Sequence, residues 1–305
     1  MADNPLTPSP ILFDRLLLRG RRRRAAALGP ATFLLDRVAD ELADRLAAVL
    51  RQFDLALDLG TPGEAVRTAL SRLGSVRTIV RADSVPPSRS PHTGGLVVAD
   101  EEALPFAEGA FDLVVSALAL QFVNDLPGVL IQIRRALKPD GLFLAALLGG
   151  ETLTELRHSF AVAESEVEGG ASPRVAPFGD LRELGALLQR AGFALPVADV
   201  DRVTVRYDSA LALMRDLRRM AAANALIARR RTPLKRATLL RMCEIYAQRF
   251  ADADGRVRAT FEIVWLSGWA PHPSQQQPLK PGAAQSRLAD VLGTAEISAG
   301  EKAGR

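Results

Sequence analysis

The chain reads as an α/β protein with one open, largely parallel sheet of seven strands covered by helices. Three observations predict this. Short apolar runs alternate with stretches of helical periodicity from residue 51 to 208, the pattern of a parallel sheet whose crossovers are helices. The segment Asp58-Leu59-Gly60-Thr61-Pro62-Gly63-Glu64 joins an apolar run, Leu55 to Leu57, to the helix-like Ala65 to Leu70. A turn between a buried strand and a helix N-terminus is where backbone N–H groups can face an anionic or ribose-bearing ligand. Finally, about fifty residues of helical pattern precede one more strand, Ala259 to Leu266, which is expected to enter the sheet antiparallel.

In chain order, Leu34, Leu35, Val38, Leu42, Leu46 and Val49 fall at helical spacing with Asp and Arg between them, predicting an amphipathic helix over 31–50. A strand at 55–59, a helix at 64–73 and strands at 76–82, 96–99 and 111–117 follow. Asp125 can cap a helix over 126–137, with Leu126, Leu130, Ile133 and Leu137 on one face. Lys138-Pro139-Asp140-Gly141 cannot continue that helix and is expected to turn into a strand at 142–148. Asp180 and Glu183 are spaced as a capping box for a helix that stops at Gly192, and a strand is expected over 200–207.

The domain plan is a basic segment and helix over 1–50, a ligand-binding core over 51–208, a helical insertion over 209–253, a final core strand within 254–270 and a weakly ordered tail over 271–305. The Pro-rich stretch 84–95 is also expected to be weakly ordered. Met214, Met220 and Met242 fall in the insertion. They suit either a loosely packed core or an adaptable lid over a pocket.

A chain of 305 residues with 48% hydrophobic content can bury a large core, while no apolar run approaches the roughly 18 residues that cross a bilayer. No integral membrane segment is expected, and peripheral contact stays open. Lone Cys243 excludes an internal disulfide and a cysteine metal cluster. The net charge of +4 is concentrated in Arg15, Arg19 and Arg21 to Arg24, and in Arg229 to Arg231, Lys235 and Arg236. Neither cluster is interleaved with the aromatic rings that stack single-stranded nucleic acid, so a solvated or partner-facing basic surface is expected instead. The arginine-rich start is like a transit peptide, but Asp3 and Asp14 interrupt it.

In such a sheet, ligands bind outside the strand carboxyl ends where strand order reverses. The polar groups there are Asp58, Gly60 and Gly63 after the first strand, Asp83 after the second, Asp100 and Glu101 after the third, and Ser116 to Gln121 after the fourth. A carboxylate after the second strand can accept both ribose hydroxyls, and one after the third can hold an exocyclic amine. Asp58, Gly60, Gly63, Asp83, Asp100, Glu101, Ser116 and Gln121 are therefore the candidate cofactor-binding residues; no catalytic residue is assigned.

The chain resembles the class I S-adenosylmethionine-dependent methyltransferases, and within them the assembly-factor family of respiratory complex I. The resemblance spans roughly 11–270. It is carried by Phe13-Asp14-Arg15, the loop from Asp58, Ala99 to Phe106, Phe111 to Ser116, Val123 to Pro127, Leu137 to Gly141, Gly149 to Arg157 and Ser267-Gly268-Trp269. It implies a Rossmann-like methyltransferase fold with N-terminal helices and a helical lid, and S-adenosylmethionine as cofactor. It further implies a cytosolic or, in a eukaryote, mitochondrial-matrix protein that hydroxylates an arginine of a complex I subunit. The chain departs from that pattern at three places. Pro62 and Glu64 replace loop glycines, and Gln121-Phe122 stands where the family has His-Trp. Glu64 is expected to repel the cofactor carboxylate, which weakens or abolishes binding.

His92, His158 and His272 do not have the spacing of converging iron ligands, so no metal is expected. Glu151, Glu155 and Arg157 either face the pocket or form an ordinary charged helix start. Two other readings remain open: a carboxyl methyltransferase of the malonyl-acyl-carrier-protein type, whose acidic carrier would suit a basic lid, and a non-catalytic assembly or scaffolding relative.

Overall fold

The computed structural model describes residues 11–85, 95–276 and 293–294. Its helices are α1 (Arg15–Leu28), α2 (Phe33–Ala47), α3 (Ala65–Leu70), α4 (Leu126–Ala136), α5 (Thr154–Glu168), α6 (Leu181–Arg190), α7 (Ala210–Arg219) and α8 (Arg236–Phe250). Its strands are β1 (Phe53–Leu59), β2 (Val76–Asp83), β3 (Leu96–Val98), β4 (Phe111–Ala117), β5 (Leu137–Leu148), β6 (Ala194–Tyr207) and β7 (Val257–Trp269). They form one sheet in the order β3-β2-β1-β4-β5-β7-β6. The first five are mutually parallel, and β7 runs antiparallel to both β5 and β6. This is the expected seven-stranded architecture.

Period-two alternation on the strands builds two cores. Leu142, Leu144, Ala146 and Leu148 of β5 face α2, α3 and α5, whereas Phe143, Ala145 and Leu147 face α4 and α6. A strand segment buried on both faces is mostly apolar, which is why the centres of β4 and β5, Leu113 to Val115 and Leu142 to Leu148, read as continuous hydrophobic runs. Side-chain caps start the helices where the residues predict: Asp125 Oδ1 accepts from Gly128 N at 2.9 Å, and Asp180 Oδ1 from Glu183 N at 2.7 Å.

Two expectations are corrected. Lys138 to Gly141 lie within β5 instead of forming a separate turn. They make an irregularity in it, since pairing passes from Phe111↔Leu137 directly to Leu113↔Leu142 and Asp140 adopts φ +63°. β6 begins at Ala194, six residues before the expected start, because an edge strand tolerates Pro196.

Residues up to Pro271 form one compact unit and His272 onward a second. In the second, His272 Nδ1 and Ser274 Oγ are 2.7 Å apart. The expected weakly ordered segments fall largely outside the described residues. No described helix is long and apolar enough to cross a membrane.

Candidate functional site

The site lies at the carboxyl ends of β1, β2 and β4, adjacent in the sheet. Asp58 is the penultimate residue of β1, opposite Arg81 of β2 and Val115 of β4. Its side chain is completely buried, and neither carboxylate oxygen has a hydrogen-bond partner of good geometry. Burial pushes its pKa up to about 7, opposed by nearby Thr61 and Arg81. Gly60 follows with φ +72°, a conformation that favours glycine. A Cβ there would fall 2.8 Å from Glu101 Cγ.

Glu64 is not the free charge expected of it. Arg81, nearly buried at the end of β2, donates to Glu64 Oε1 at 2.7 Å, to Asp83 Oδ2 at 2.7 Å and to the Thr61 carbonyl at 3.3 Å. One guanidinium thus neutralises the loop and ties it to the second strand end. Burial raises the Asp83 pKa, with Arg22, the Val85 N–H and Arg81 opposing.

The N-terminal arginines are also corrected, because three of them face inward rather than solvent or a partner. Arg15 donates to Asp100 Oδ1 at 2.8 Å and pairs with Glu101; Arg19 pairs with Asp100. Arg22 approaches Glu101 Oε1 at 3.1 Å and Asp83 Oδ1 at 3.3 Å, and donates to the Gly60 carbonyl at 2.6 Å. Burial would raise the Asp100 pKa, but the Glu102 N–H, Arg15 and Arg19 outweigh it, and the net shift is downward.

Beside this rim lies a cavity of about 600 Å³, of the size that small ligands occupy. Gly63, Glu64, Arg81, Asp83 and Gln121 line it at the rim. Leu118, Phe122, Leu148, Leu156, Phe160, Phe178 and Phe261 form an apolar floor, while Met214, Leu217, Met220 and Leu234 come from the insertion. The first half of the insertion therefore covers the cavity; α8 instead packs on α5, with Met242 buried in the core. Gln121 Nε2 donates to the Leu118 carbonyl at 2.8 Å, leaving its buried Oε1 without a partner.

Of the eight candidate residues, Gly63, Asp83 and Gln121 line the cavity. Asp58, Gly60, Asp100, Glu101 and Ser116 stand outside its wall. Ser116 is structural, donating to the Leu59 carbonyl at 2.7 Å. Glu155 and Arg157 also turn away from the cavity: Glu155 accepts from Thr260 N at 3.1 Å, and Arg157 donates to the Gly150 carbonyl at 3.1 Å. Glu151 is exposed. His158 is exposed and meets Arg249, and His92 lies outside the described residues. Among the described residues no group of three or more His, Cys, Asp or Glu is arranged to hold a metal.

Sequence reasoning missed Arg15, Arg19, Arg22 and Arg81. The first three had a readable signal, since positions 15, 19 and 22 share one helix face; Arg81 had one too, as a charge inside a strand pattern.

Residues 57–145 match a family model described as a methyltransferase domain. Over 287 residues the chain is 41% identical to the arginine-hydroxylase NDUFAF5, mitochondrial, of Danio rerio, covering 92% of this chain and 89% of that protein. The chain belongs to the NDUFAF5 arginine-hydroxylase family. The Homo sapiens member is 40% identical over 281 residues, covering 90% of this chain and 81% of its own. A malonyl-[acyl-carrier protein] O-methyltransferase of Laribacter hongkongensis is 35% identical over 286 residues, covering 88% of this chain and 94% of its own. Among solved structures, the [4+2]-cyclase SpnF superposes with a TM-score of 0.51 at 16% identity, covering 84% of this chain and 94% of that one. The Bacillus halodurans C-125 protein BH2331 gives 0.51 at 18%, covering 75% and 97%. These two likenesses bear on the fold alone.

Proposed function

We propose that this chain binds S-adenosylmethionine at the rim formed by Gly60, Gly63, Asp83, Asp100 and Glu101, and acts in complex I assembly by modifying an arginine of a partner subunit. The observation that carries this is the 41% identity to an arginine hydroxylase across 92% of the chain. The residues present suit the cofactor. Gly60 and Gly63 both take positive φ, and a Cβ at Gly63 would meet nothing within 4 Å, which leaves the loop open to close approach. Gln121 Oε1 is a buried acceptor without a partner on the cavity wall.

Asp83 would take the ribose hydroxyls and Asp100 with Glu101 the adenine amine, while Asp58 and Ser116 brace the strand ends behind them. When bound, the cofactor would supply a sulfonium-activated methyl group, which serves methyl transfer directly; adding one oxygen to an arginine would in addition consume dioxygen and a two-electron reductant as co-substrates, the second oxygen leaving as water. The chain supplies an apolar floor that excludes water, and Arg81, whose charge cancels that of Glu64 beside the loop. Residence in the cytoplasm, or in the mitochondrial matrix of a eukaryote, follows from the same family reading. Two measurements test the proposal. Calorimetric titration should detect S-adenosylmethionine binding that Asp83→Ala weakens by about 1–3 kcal/mol. Peptide mass spectrometry of complex I from cells lacking this gene should show loss of a one-oxygen addition on a subunit arginine. No binding together with an unchanged arginine would leave a scaffolding role.

One observation favours a second reading, a carboxyl methyltransferase. Arg21, Arg23 and Arg218 line the cavity without an ion-pair partner among the described residues, and burial together with Arg229 and Arg24 lowers the Arg21 pKa. An acceptor carboxylate would relieve that crowding. Methyl-ester formation on malonyl-acyl-carrier protein supports this reading, and its absence with bound cofactor removes it.

A further inference from the structure

The arginines of α1 meet the strand-end residues that the cofactor would need. Asp83, Asp100, Glu101 and the Gly60 carbonyl are all engaged by Arg15, Arg19 or Arg22. Charge-assisted pairs of this kind are stronger than the neutral hydrogen bonds a ribose or an adenine amine would form with the same carboxylates. A nucleoside would therefore have to compete with these arginines for the same acceptors.

We infer that α1 is an internal competitor for the cofactor, a latch whose arginines must leave Asp83, Asp100 and Glu101 before the nucleoside half of the site can fill. The inference rests on the rim being the cofactor site proposed above. The attachment of α1 suits such a role. Only Leu18 and Ala25 of the helix are buried, and Leu16 and Leu28 are exposed. Apolar burial therefore contributes little, and the ion pairs of Arg15, Arg19 and Arg22 hold its N-terminal half. Both ends are fastened independently. Asn124 Oδ1 accepts from Leu12 N at 2.8 Å and Phe13 N at 2.7 Å, and Phe13 packs edge-on against Phe122. At the other end Arg219 donates to the Gly29 carbonyl at 2.7 Å, where φ is +80°. A helix tethered at both ends and held along its N-terminal half mainly by charge can shift Arg19 and Arg22 outward, and swing the Arg15 side chain, without releasing the chain around it. Its closure should weaken as salt screens the pairs.

The test is a calorimetric titration of S-adenosylmethionine into the full chain and into a variant carrying Arg15→Gln, Arg19→Gln and Arg22→Gln. Limited trypsin digestion is followed in parallel at Arg23 and Arg24, which both proteins retain. A latch closed in about nine molecules of ten lowers apparent affinity about tenfold, so the variant should bind about tenfold tighter. In the native chain, saturating cofactor should speed cleavage at Arg23 and Arg24. Should the triple variant fail to fold, Arg19→Gln alone, which removes only a contact with Asp100, should shift affinity the same way by a smaller factor. Native binding that the variants do not exceed, with Arg23 and Arg24 protected by the cofactor, would overturn the latch and make the arginines part of the cofactor's own enclosure. If the variant becomes cleavable and still binds nothing, the rim is not the cofactor site, and the latch falls with that reading.

Discussion

Replacing Asp58 by asparagine should change how stability depends on pH more than it changes stability itself. Asp58 is fully buried, and its pKa rises from 3.8 to about 7 on folding. An acid with a raised folded pKa keeps its proton in the native state after the unfolded chain has released it. Native protein therefore binds more protons than unfolded protein between pH 3.8 and about 7, and stability falls as pH rises through that window. The rise corresponds to about 4 kcal/mol, an upper value that is fully expressed above pH 7 and absent below the unfolded pKa. The amide introduced by Asp58→Asn cannot ionise. It costs about 1–3 kcal/mol as an unpaired buried polar group, but by the same amount at every pH.

Urea unfolding followed by circular dichroism at about pH 4, 6 and 8 would give the variant-minus-native difference. The shifted Asp83 and Asp100 contribute to both proteins and largely cancel. The difference should move by about 2–4 kcal/mol in favour of the variant from pH 4 to pH 8. A flat difference would show that Asp58 is solvated or paired in solution, and the reasoning from its burial would fail.

Arg81→Met removes the guanidinium that Glu64 and Asp83 share and leaves the buried Asp83 with Arg22 and the Val85 N–H, so it should cost about 3–5 kcal/mol; a loss under about 1 kcal/mol in urea would mean the pairs are screened. Gly149→Ala places a Cβ 2.4 Å from Glu262 Oε1 and 2.8 Å from Val264 Cγ2, so thermal unfolding should show a loss of about 1–3 kcal/mol, and an unchanged midpoint would mean the β7 side chains yield freely. Glu64→Gln should alter S-adenosylmethionine affinity by less than about threefold, because Arg81 already cancels this charge; a large gain confined to low salt would restore the repulsion argument.

Much of the fold is legible because apolar periodicity reports burial directly. β4 and β5 announce themselves by the unbroken apolar runs Leu113 to Val115 and Leu142 to Leu148, and Asp125 and Asp180 cap the helices they precede. The pattern cuts β6 short because Pro196 and Asp199 read as loop, whereas an edge strand accommodates both. The site is legible by position and illegible by partner. Asp83 and Asp100 stand at strand ends as expected, but what their carboxylates meet is set by Arg15, Arg19 and Arg22, more than sixty residues earlier, and periodicity carries no information on that pairing. The Gly149 to Arg157 run looks functional and is largely architectural, with Glu262 seated where a side chain at Gly149 would be.

The place of β7 has a consequence for how the chain is made. It is the last strand in sequence yet occupies an interior position, and both β5 and β6 pair with it along most of their length. Until residues 257–269 have been synthesised, β5 has an open edge and β6 has no partner in the sheet. A nascent chain halted before that point would expose the apolar faces of two long strands. Such unpaired edges invite association with other chains, so a ribosome stalled at residue 256 should yield a species that chaperones hold, while release of the completed chain closes the sheet in one step.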